Sequence, residues 1–212
     1  CYGDGLLLRC NNEVLGKMRG GRHIESTDEL LEDARALSSQ FDINDDGYVV
    51  WVGEGNTWRD GVAKNLWGTS TEIGNIDYEW GAPVWYRDPL SRNITDDEII
   101  GDSNPWASFG FGNTIQWGDV TLYGLFVGQV GGDIYNDRLH DLYNSADHPD
   151  LVQAGKPDEL KKPVAYYTGY LVDAVGYEKH FVEDATFAKL SEASIAYRVP
   201  TSMLIIPPNP LI

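Results

Sequence analysis

Two long runs of alternating residues in the middle of the chain constrain its fold most. In residues 106–117, "WASFGFGNTIQW", large apolar side chains alternate with small or polar ones. The run Val120–Val130, "VTLYGLFVGQV", places Val120, Leu122 and Phe126 on one side and Tyr123, Leu125 and Val127 on the other. Gly118 and Asp119 separate the two runs. Because successive side chains of a β-strand point to opposite faces, this period of two predicts an antiparallel hairpin with one apolar face.

The arms of this hairpin are long, at about 12 residues each, whereas strands of globular proteins mostly have about five or six. Such arms suit the wall of a membrane-spanning barrel. A hairpin inside a soluble sandwich fits the alternation equally well. A third strand is predicted in "FAKLSEASIAYRVP", residues 187–200. The tail that follows, "SMLIIPPNPLI", is too rich in proline to be a central strand.

Composition supports a β-rich fold. The chain has 23 Gly, 7 Trp, 12 Tyr and 6 Phe, a combination typical of sheets with short strands and many turns. We therefore predict a mainly β fold of antiparallel hairpins with long irregular loops and one or two short helices. We expect one domain with five regions: a cysteine loop plus helix (1–40), an aromatic-rich loop region (41–105), the hairpin (106–130), an irregular, partly helical insert (131–185), and a strand with a Pro-rich tail (186–212).

The helices are predicted from start signals and periodicity. Ser26 and Glu29 have the spacing of a capping box, and apolar positions in "DELLEDARALSSQ" predict a helix over residues 27–39, with Leu30, Ala34 and Leu37 on one face. A further helix is expected within "DIYNDRLHDLYNSADHPD". The segment "KPDEL" resembles a helix start with proline at the first helical position.

The charge balance excludes some partners. The chain carries 33 acidic and 16 basic residues, a net charge of −17. Such a surface repels nucleic-acid phosphates, so we expect no nucleic-acid partner. No apolar run is long enough for a transmembrane helix, which needs about 18 residues or more.

The two cysteines indicate the compartment. Cys1 and Cys10 bracket "CYGDGLLLRC". A disulfide between them would stabilise the fold by about 2–3 kcal/mol in the chain-entropy model. Alternatively, Cys1 is the lipid-bearing first residue of a mature bacterial lipoprotein. Both interpretations place the chain outside the cytoplasm.

One acidic stretch resembles half of a calcium loop. In "FDINDDGYVVWVGEG", Asp42, Asn44 and Asp46 have the spacing of the first half of an EF-hand loop. Gly53 stands where that loop needs a bidentate Glu, and a strand-forming run, residues 48–52, follows directly. We predict a turn leading into a strand, with the three oxygen-bearing residues as a weak metal candidate.

The sequence contains no catalytic pattern that we recognise. The four histidines lack zinc spacing, and His140-Asp141 and Asp147-His148 are more typical of solvated surface pairs. We find no nucleophile elbow, P-loop or dinucleotide motif. We therefore predict no enzymatic activity, no catalytic residue and no cofactor, with a carbohydrate-active enzyme as a distant third function class.

The aromatic residues suggest contacts with a partner, because Trp, Tyr and Met are enriched at interface cores. The alternative is that they staple the long loop together. We predict partner contact at these residues of the aromatic-rich region and the tail: Trp51, Trp58, Trp67, Trp80, Trp85, Tyr86, Met203, Leu204, Ile205 and Ile206.

Several segments together resemble a known family. "FDINDDGYVVWVGEGNTWRDG", "NPWASFGFGNTIQWGDVTLYGLFVGQVGGDIYND", "KPDELKKPVAYY" and "FVEDATFAKLSEASIAYRVP" are similar to the C-terminal barrel region of SusC/RagA-type TonB-linked outer-membrane receptors. The similarity covers residues 41–200. It implies that the alternating runs are strands of a barrel of about 22 strands, that the irregular blocks are outer loops, and that the cargo is a glycan or peptide.

We expect the chain to lie in the periplasm or outer membrane of a Gram-negative-type bacterium, and to differ from that family in having no plug and no TonB box. We therefore expect a non-enzymatic accessory or structural subunit, bound to protein subunits of a larger membrane complex for uptake, respiration or photosynthesis. Membrane association would come through the partner, a lipid on Cys1 or the barrel strands. The alternative function is a fragment of a TonB-dependent receptor that imports glycans or peptides.

Overall fold

The computed structural model describes residues 16–168, 171 and 176–200. These residues form a mainly β structure with antiparallel sheets and a few short helices, which confirms the predicted fold class. They divide into two compact units. Unit 1 holds the described residues up to Ser103 and those of Asp133–Glu183, and unit 2 holds Asn104–Gly132 and the described residues from Asp184 onward.

The strands and helices are short except in unit 2. The strands are β1 (Lys17–Gly20), β2 (Phe41–Ile43), β3 (Val49–Trp51), β4 (Ser70–Ile73), β5 (Ile76–Glu79), β6 (Glu98–Asp102), β7 (Ala107–Trp117), β8 (Val120–Val130), β9 (Asp133–Tyr135), β10 (Val182–Asp184) and β11 (Phe187–Tyr197). The α-helices are α1 (Glu32–Arg35), α2 (Asp137–Asn144) and α3 (Val164–Thr168).

Small two-stranded sheets organise unit 1. β1 pairs with β6, β2 with β3, and β4 with β5, all antiparallel, and β9 pairs with β10. Each pair is too small to be stable alone, since an isolated two-stranded hairpin is marginal in water. The unit therefore depends on the side chains packed between these pairs.

Aromatic side chains form much of the core of unit 1. Trp58 stacks on Trp80 with ring centroids 5.5 Å apart and planes 5° apart. Tyr166 lies beside Trp58, with a centroid distance of 6.1 Å, and Phe181 is fully buried. Large rings of this kind bury much apolar surface each. They hold long irregular segments together that have few strand hydrogen bonds of their own.

The predicted helix over residues 27–39 is wrong. The chain instead forms a 3₁₀ turn at Thr27–Glu29, the single turn of α1, and another 3₁₀ turn at Ser38–Gln40. Leu30 and Leu31 between them are extended, with ψ of 146° and 152°. Ser26 does cap the first turn, by accepting a hydrogen bond from the N–H of Asp28.

Tertiary contacts explain this break. The Glu29 carboxylate pairs with Arg22 at 2.7 Å and accepts from the N–H of Glu25, so it ties the first turn to the chain that precedes it. The extended backbone at Leu30 accompanies the burial of its side chain in the core. Leu37, predicted on the same face, is exposed. Burial of Leu30 outweighs helix propensity here.

The helical predictions for residues 131–185 are confirmed in part. α2 lies within the segment "DIYNDRLHDLYNSADHPD", and the side chain of Asn136 caps it by accepting from the N–H of Leu139. The start predicted at "KPDEL" gives only a 3₁₀ turn, Asp158–Leu160, with Pro157 at the N-cap position. None of the described helices is long and apolar enough to cross a membrane.

Unit 2 is a three-stranded antiparallel sheet in the order β11-β8-β7. Each strand has 11 residues, and the turn between β7 and β8 has only two, Gly118 and Asp119. Gly118 has a φ of +60°, which suits glycine in so tight a turn. The hairpin and the third strand predicted from the alternating sequence are therefore confirmed.

Candidate functional site

The register of unit 2 brings the alternating residues into rows across the sheet. Phe111 lies opposite Phe126, which lies opposite Leu190 on the far strand. Two further rows join Ile115 to Leu122 and Ile195, and Trp117 to Val120 and Tyr197. Since directly opposed residues share a face, these rows form one surface. We call it the apolar face: Phe109, Phe111, Ile115, Trp117, Val120, Leu122, Phe126, Leu190, Ile195 and Tyr197.

A β-bulge in β11 keeps this face continuous. Between Leu190 and Glu192 the register shifts by one residue, so that Ser191 is the extra residue. Without the shift, the period of two would place Leu190 and Ile195 on opposite faces. A one-residue slip exchanges the faces of a strand. The bulge therefore returns Ile195 and Tyr197 to the apolar face.

The other face of the sheet is mostly polar. Its rows include Thr114, Tyr123 and Ser194, and Gln116 with Thr121. Lys189 and Glu192 lie on this face of β11 because they pair with Val127 and Leu125. The sheet thus has one apolar side and one that water can solvate.

The apolar face is uncovered within the described chain. Trp117 is 86% exposed, Ile195 74% and Phe111 60%. β7 and β11 are the edges of the described sheet, each paired on one side only. An exposed apolar surface of this extent marks contact with another protein or with a membrane.

The acidic stretch of the β2–β3 hairpin forms the predicted turn, with β3 directly after it. The side-chain oxygen of Asn44 accepts hydrogen bonds from the N–H groups of Asp46 and Tyr48. A carboxylate oxygen of Asp42 accepts from the N–H of Trp58 at 2.7 Å. These contacts make Asn44 part of the turn itself and tie Asp42 to the 3₁₀ turn that begins at Trp58.

Asp46, the third metal candidate, is contacted by two residues that lie more than 100 positions further along the chain. Its carboxylate accepts from the hydroxyl of Tyr166 at 2.6 Å and from the ammonium of Lys162 at 3.1 Å. Lys162 also lies 3.4 Å from Asp150 and 4.3 Å above the Tyr166 ring. An ammonium between two carboxylates occupies the kind of position that a bound cation would take.

Electrostatics of this cluster follow from burial and from the lysines. Burial and the neighbouring Asp46 raise the pKa of Tyr166, so its hydroxyl remains a donor. Partial burial pushes the pKa of Asp150 up, but Lys156 and Lys162 outweigh that effect and hold it below its usual value. Among the residues that the structure describes, no group of three or more His, Cys, Asp or Glu is arranged to hold a metal.

The predicted contact residues differ in exposure. Trp51, Trp58 and Trp80 are buried in the core of unit 1 and serve its internal packing. Trp67 and Tyr86 are partly buried against that core. Trp85 is half-buried, with its ring 4.0 Å from that of His23.

The remaining predicted residues are the two cysteines and the apolar part of the tail. Cys1, Cys10, Met203, Leu204, Ile205 and Ile206 lie outside the described residues. Their roles stay predictions.

The histidines lie among aromatic rings. The Nδ1 of His140 is 3.3 Å from the hydroxyl of Tyr135, and His148 stacks on Tyr143 while its Nδ1 accepts from the N–H of Asp150. His180 contacts the hydroxyl of Tyr48 at 3.3 Å. Burial lowers the pKa of His180 to about 4, and that of His23 well below its usual value.

The burial of one acidic residue, Glu178, could not be predicted from the sequence. Glu178 is 1% exposed, and neither oxygen of its carboxyl group has a hydrogen-bond partner among the described residues. Burial raises the pKa of Glu178 to about 8. Nothing in "VGYEKHF" signals this, because the burial comes from segments more than 100 residues away in sequence, such as β1.

Comparison with known proteins gives two relatives in Formosa agariphila. The chain is 24% identical over 188 residues to TonB-dependent receptor P3, a match covering 87% of this chain and 17% of that protein. It is 25% identical over 126 residues to TonB-dependent receptor P26, covering 56% of this chain and 13% of that protein.

The chain therefore contains a segment related to TonB-dependent receptors, and it spans less than a fifth of the length of these two. No protein-family model matches the sequence. No solved structure matches it at a significant level.

Proposed function

We propose that this chain is part of a TonB-dependent receptor of the outer membrane, and that unit 2 supplies three neighbouring membrane-spanning strands. The observation that carries this proposal is the two-faced sheet. Its apolar face suits contact with lipid, and its polar face suits a water-filled or protein-filled interior. Transmembrane strands alternate apolar-out and polar-in in this way.

The dimensions of the sheet support the proposal. A strand of 11 residues is about 35 Å long, and a tilt of about 45° reduces its height to about 25 Å. That height equals the apolar band of outer-membrane proteins, about 25 Å. The three strands are therefore long enough to cross it.

Aromatic residues mark both ends of the apolar face. Trp117 and Tyr197 share the row next to the two-residue turn. Phe109 lies near the opposite end of β7, and Trp106 directly precedes that strand. Amphipathic aromatic rings concentrate at the two membrane–water interfaces of transmembrane strands. The spacing of these residues supports two interfaces about one membrane thickness apart.

The connections give the orientation. Short turns of outer-membrane proteins face the periplasm and long connections face the exterior. The two-residue turn at Gly118 and Asp119 is then periplasmic. The connection from β8 to β11, which includes residues 133–183 of unit 1, starts and ends at the opposite end of the strands. The connection from β8 to β11 would accordingly begin and end on the exterior side of the membrane.

The cargo follows from the resemblance to SusC/RagA-type receptors, which implies import of glycans or peptides. Similarity to two proteins named as TonB-dependent receptors favours a receptor segment over the accessory subunit of a respiratory, photosynthetic or uptake complex. The accessory subunit remains the second hypothesis, since the uncovered apolar face would also suit a protein partner.

A pair of lysine substitutions tests the membrane-spanning role. Phe111 and Thr114 lie close together near the middle of β7 but on opposite faces. A lysine on the lipid side near the membrane centre costs about 2–4 kcal/mol, and one on the inner side costs much less. We expect Phe111→Lys to reduce assembled protein in the outer membrane at least tenfold and Thr114→Lys to leave it within twofold. Equal assembly of both variants would refute the proposal.

A further inference from the structure

Residues 177–181 of unit 1 are attached lengthwise to residues 20–23. The N–H of Gly21 donates to the carbonyl of Tyr177 at 2.8 Å, and the N–H of Lys179 donates to the carbonyl of Gly21 at 3.0 Å. These bonds form a parallel bridge between Gly21 and Glu178. The approach is close, since a Cβ on Gly20 would come within 2.1 Å of the Tyr177 carbonyl oxygen.

This attachment places the Glu178 side chain in the interior. Its N–H lies 3.4 Å from the hydroxyl of Tyr135, and its carboxyl oxygens have no partner among the described residues. Burying an unpaired carboxylate is strongly unfavourable, whereas burying a neutral carboxylic acid costs far less. The protonation state of one side chain is therefore coupled to the docking of a whole segment.

We propose that Glu178 is a proton-controlled latch: residues 176–181 stay docked on residues 20–23 while Glu178 is a neutral acid, and its ionisation releases them. The latch is built from contacts within unit 1 alone. It stands independently of the receptor function proposed above, and the two can fail separately.

The direction of the pH dependence follows from linkage. Burial raises the pKa of docked Glu178 to about 8, whereas a solvated Glu titrates at about 4.3. The docked state therefore holds its proton where the released state has lost it. Stability of docking is fully present at low pH and declines as the pH rises towards 8. The equilibrium constant for release grows about tenfold per pH unit over this range.

Other titratable groups lie on the elements packed around this segment. They are Arg22 and His23 next to β1, Asp133 and Tyr135 on β9, Asp137 and His140 on α2, and Tyr177, Lys179 and His180 on the segment itself. Arg22 pairs with Glu29, and Lys179 pairs with Glu25 at 2.6 Å.

The titrations of His23, His180 and Tyr135 fall outside the range from pH 6.5 to 8, which we call the window. Burial lowers the pKa of His23 and of His180, so both stay neutral above about pH 6.5, where solvated histidine also loses its proton. Burial raises the pKa of Tyr135, and a solvated tyrosine titrates only near about 10. A pH dependence inside the window that Glu178→Gln abolishes therefore belongs to Glu178.

Hydrogen exchange on the full 212-residue chain tests the latch. The protection factor of an amide is its intrinsic exchange rate divided by its observed rate, so the intrinsic pH dependence cancels. The protection factors of the Gly21 and Lys179 amides therefore report local opening. We expect them to fall about 15-fold from pH 6.5 to 8, because the tenfold change per pH unit levels off where Glu178 of the docked state itself begins to ionise. Amides of β8 in unit 2 serve as the reference and should show no such fall.

Two variants distinguish the effect of Glu178 on the pH dependence from that of a neighbouring charge. Glu178→Gln, a neutral side chain of the same shape, should hold the protection factors constant across the window. Lys179→Gln removes an adjacent charge but keeps Glu178, and should retain the 15-fold fall. A fall of equal size in Glu178→Gln would overturn the proposal. If that variant does not fold, the wild-type series decides alone, because constant protection there contradicts the latch.

Discussion

Lys162 shows how single residues hold unit 1 together. Its ammonium lies 3.1 Å from Asp46 on the β2–β3 turn and 3.4 Å from Asp150 in a distant segment. Removing this partly buried cation takes a counter-charge from both carboxylates and leaves Asp46 with the Tyr166 hydroxyl and Asp150 with Lys156. We expect Lys162→Ala to lower the free energy of unfolding by about 1–3 kcal/mol, measured from urea midpoints.

The adjacent lysine is a matched control for this prediction. Lys161 pairs at 2.7 Å with Asp158, whose side chain is mostly in solvent. Exposed pairs of this type contribute little, so Lys161→Ala should change stability by less than about 0.5 kcal/mol. Similar losses for the two variants would show that Lys162 has no special role.

The residue scale is also where sequence reasoning reaches its limit. The spacing of Asp42, Asn44 and Asp46 was enough to predict a turn, because Asx side chains bond their own backbone nearby. Lys162 and Glu178 carry no such local signal. Their environments come from residues far away in sequence, and only the folded chain shows them.

At the scale of elements, the strands of unit 2 were predictable because a period of two is read directly from the sequence. The bulge at Ser191 was not, although the change of alternation between Leu190 and Ile195 is its signal. The helix over residues 27–39 failed for the opposite reason. Its local pattern is sound, but the pairing of Glu29 with Arg22 and the burial of Leu30 override it.

The turns of unit 1 depend on glycine to different degrees. Gly81 has a φ of +76°, and a Cβ there would lie 2.6 Å from the Trp58 ring. Gly47 has a φ of +85° with open space around it. We expect Gly47→Ala to cost about 1 kcal/mol from backbone strain alone.

Gly81→Ala adds a steric clash to the same strain, and overpacking costs about 1–3 kcal/mol more. The melting temperature of Gly81→Ala, measured by tryptophan fluorescence, should therefore be well below that of Gly47→Ala. Equal melting temperatures for the two variants would contradict the packing of Trp58 described here.

At the scale of the whole molecule, acid should weaken unit 1 through its buried histidines. Burial lowers the pKa of His180 to about 4, against about 6.5 in the unfolded chain. Because the folded pKa is the lower one, the stabilisation is complete above about pH 6.5 and is lost as the pH falls towards 4. The full effect for one such histidine is about 3 kcal/mol.

Comparing wild type with His180→Gln isolates this contribution, since other groups titrate alike in both. The advantage of wild type over the variant in urea unfolding should be greatest at pH 7 and should shrink by about 1.4 kcal/mol per pH unit between pH 6 and pH 5. A difference that stays constant with pH would show that His180 titrates normally.

The central claim is that the apolar face of unit 2 contacts lipid while the opposite face does not. Labelling of single cysteines in native outer membranes with a hydrophilic maleimide tests it most directly, in a background with Cys1 and Cys10 replaced by serine. Thr114→Cys on the polar face should react readily, and Phe111→Cys on the apolar face should react at least tenfold more slowly until detergent replaces the lipid. Equal labelling of both positions in the intact membrane would contradict the claim.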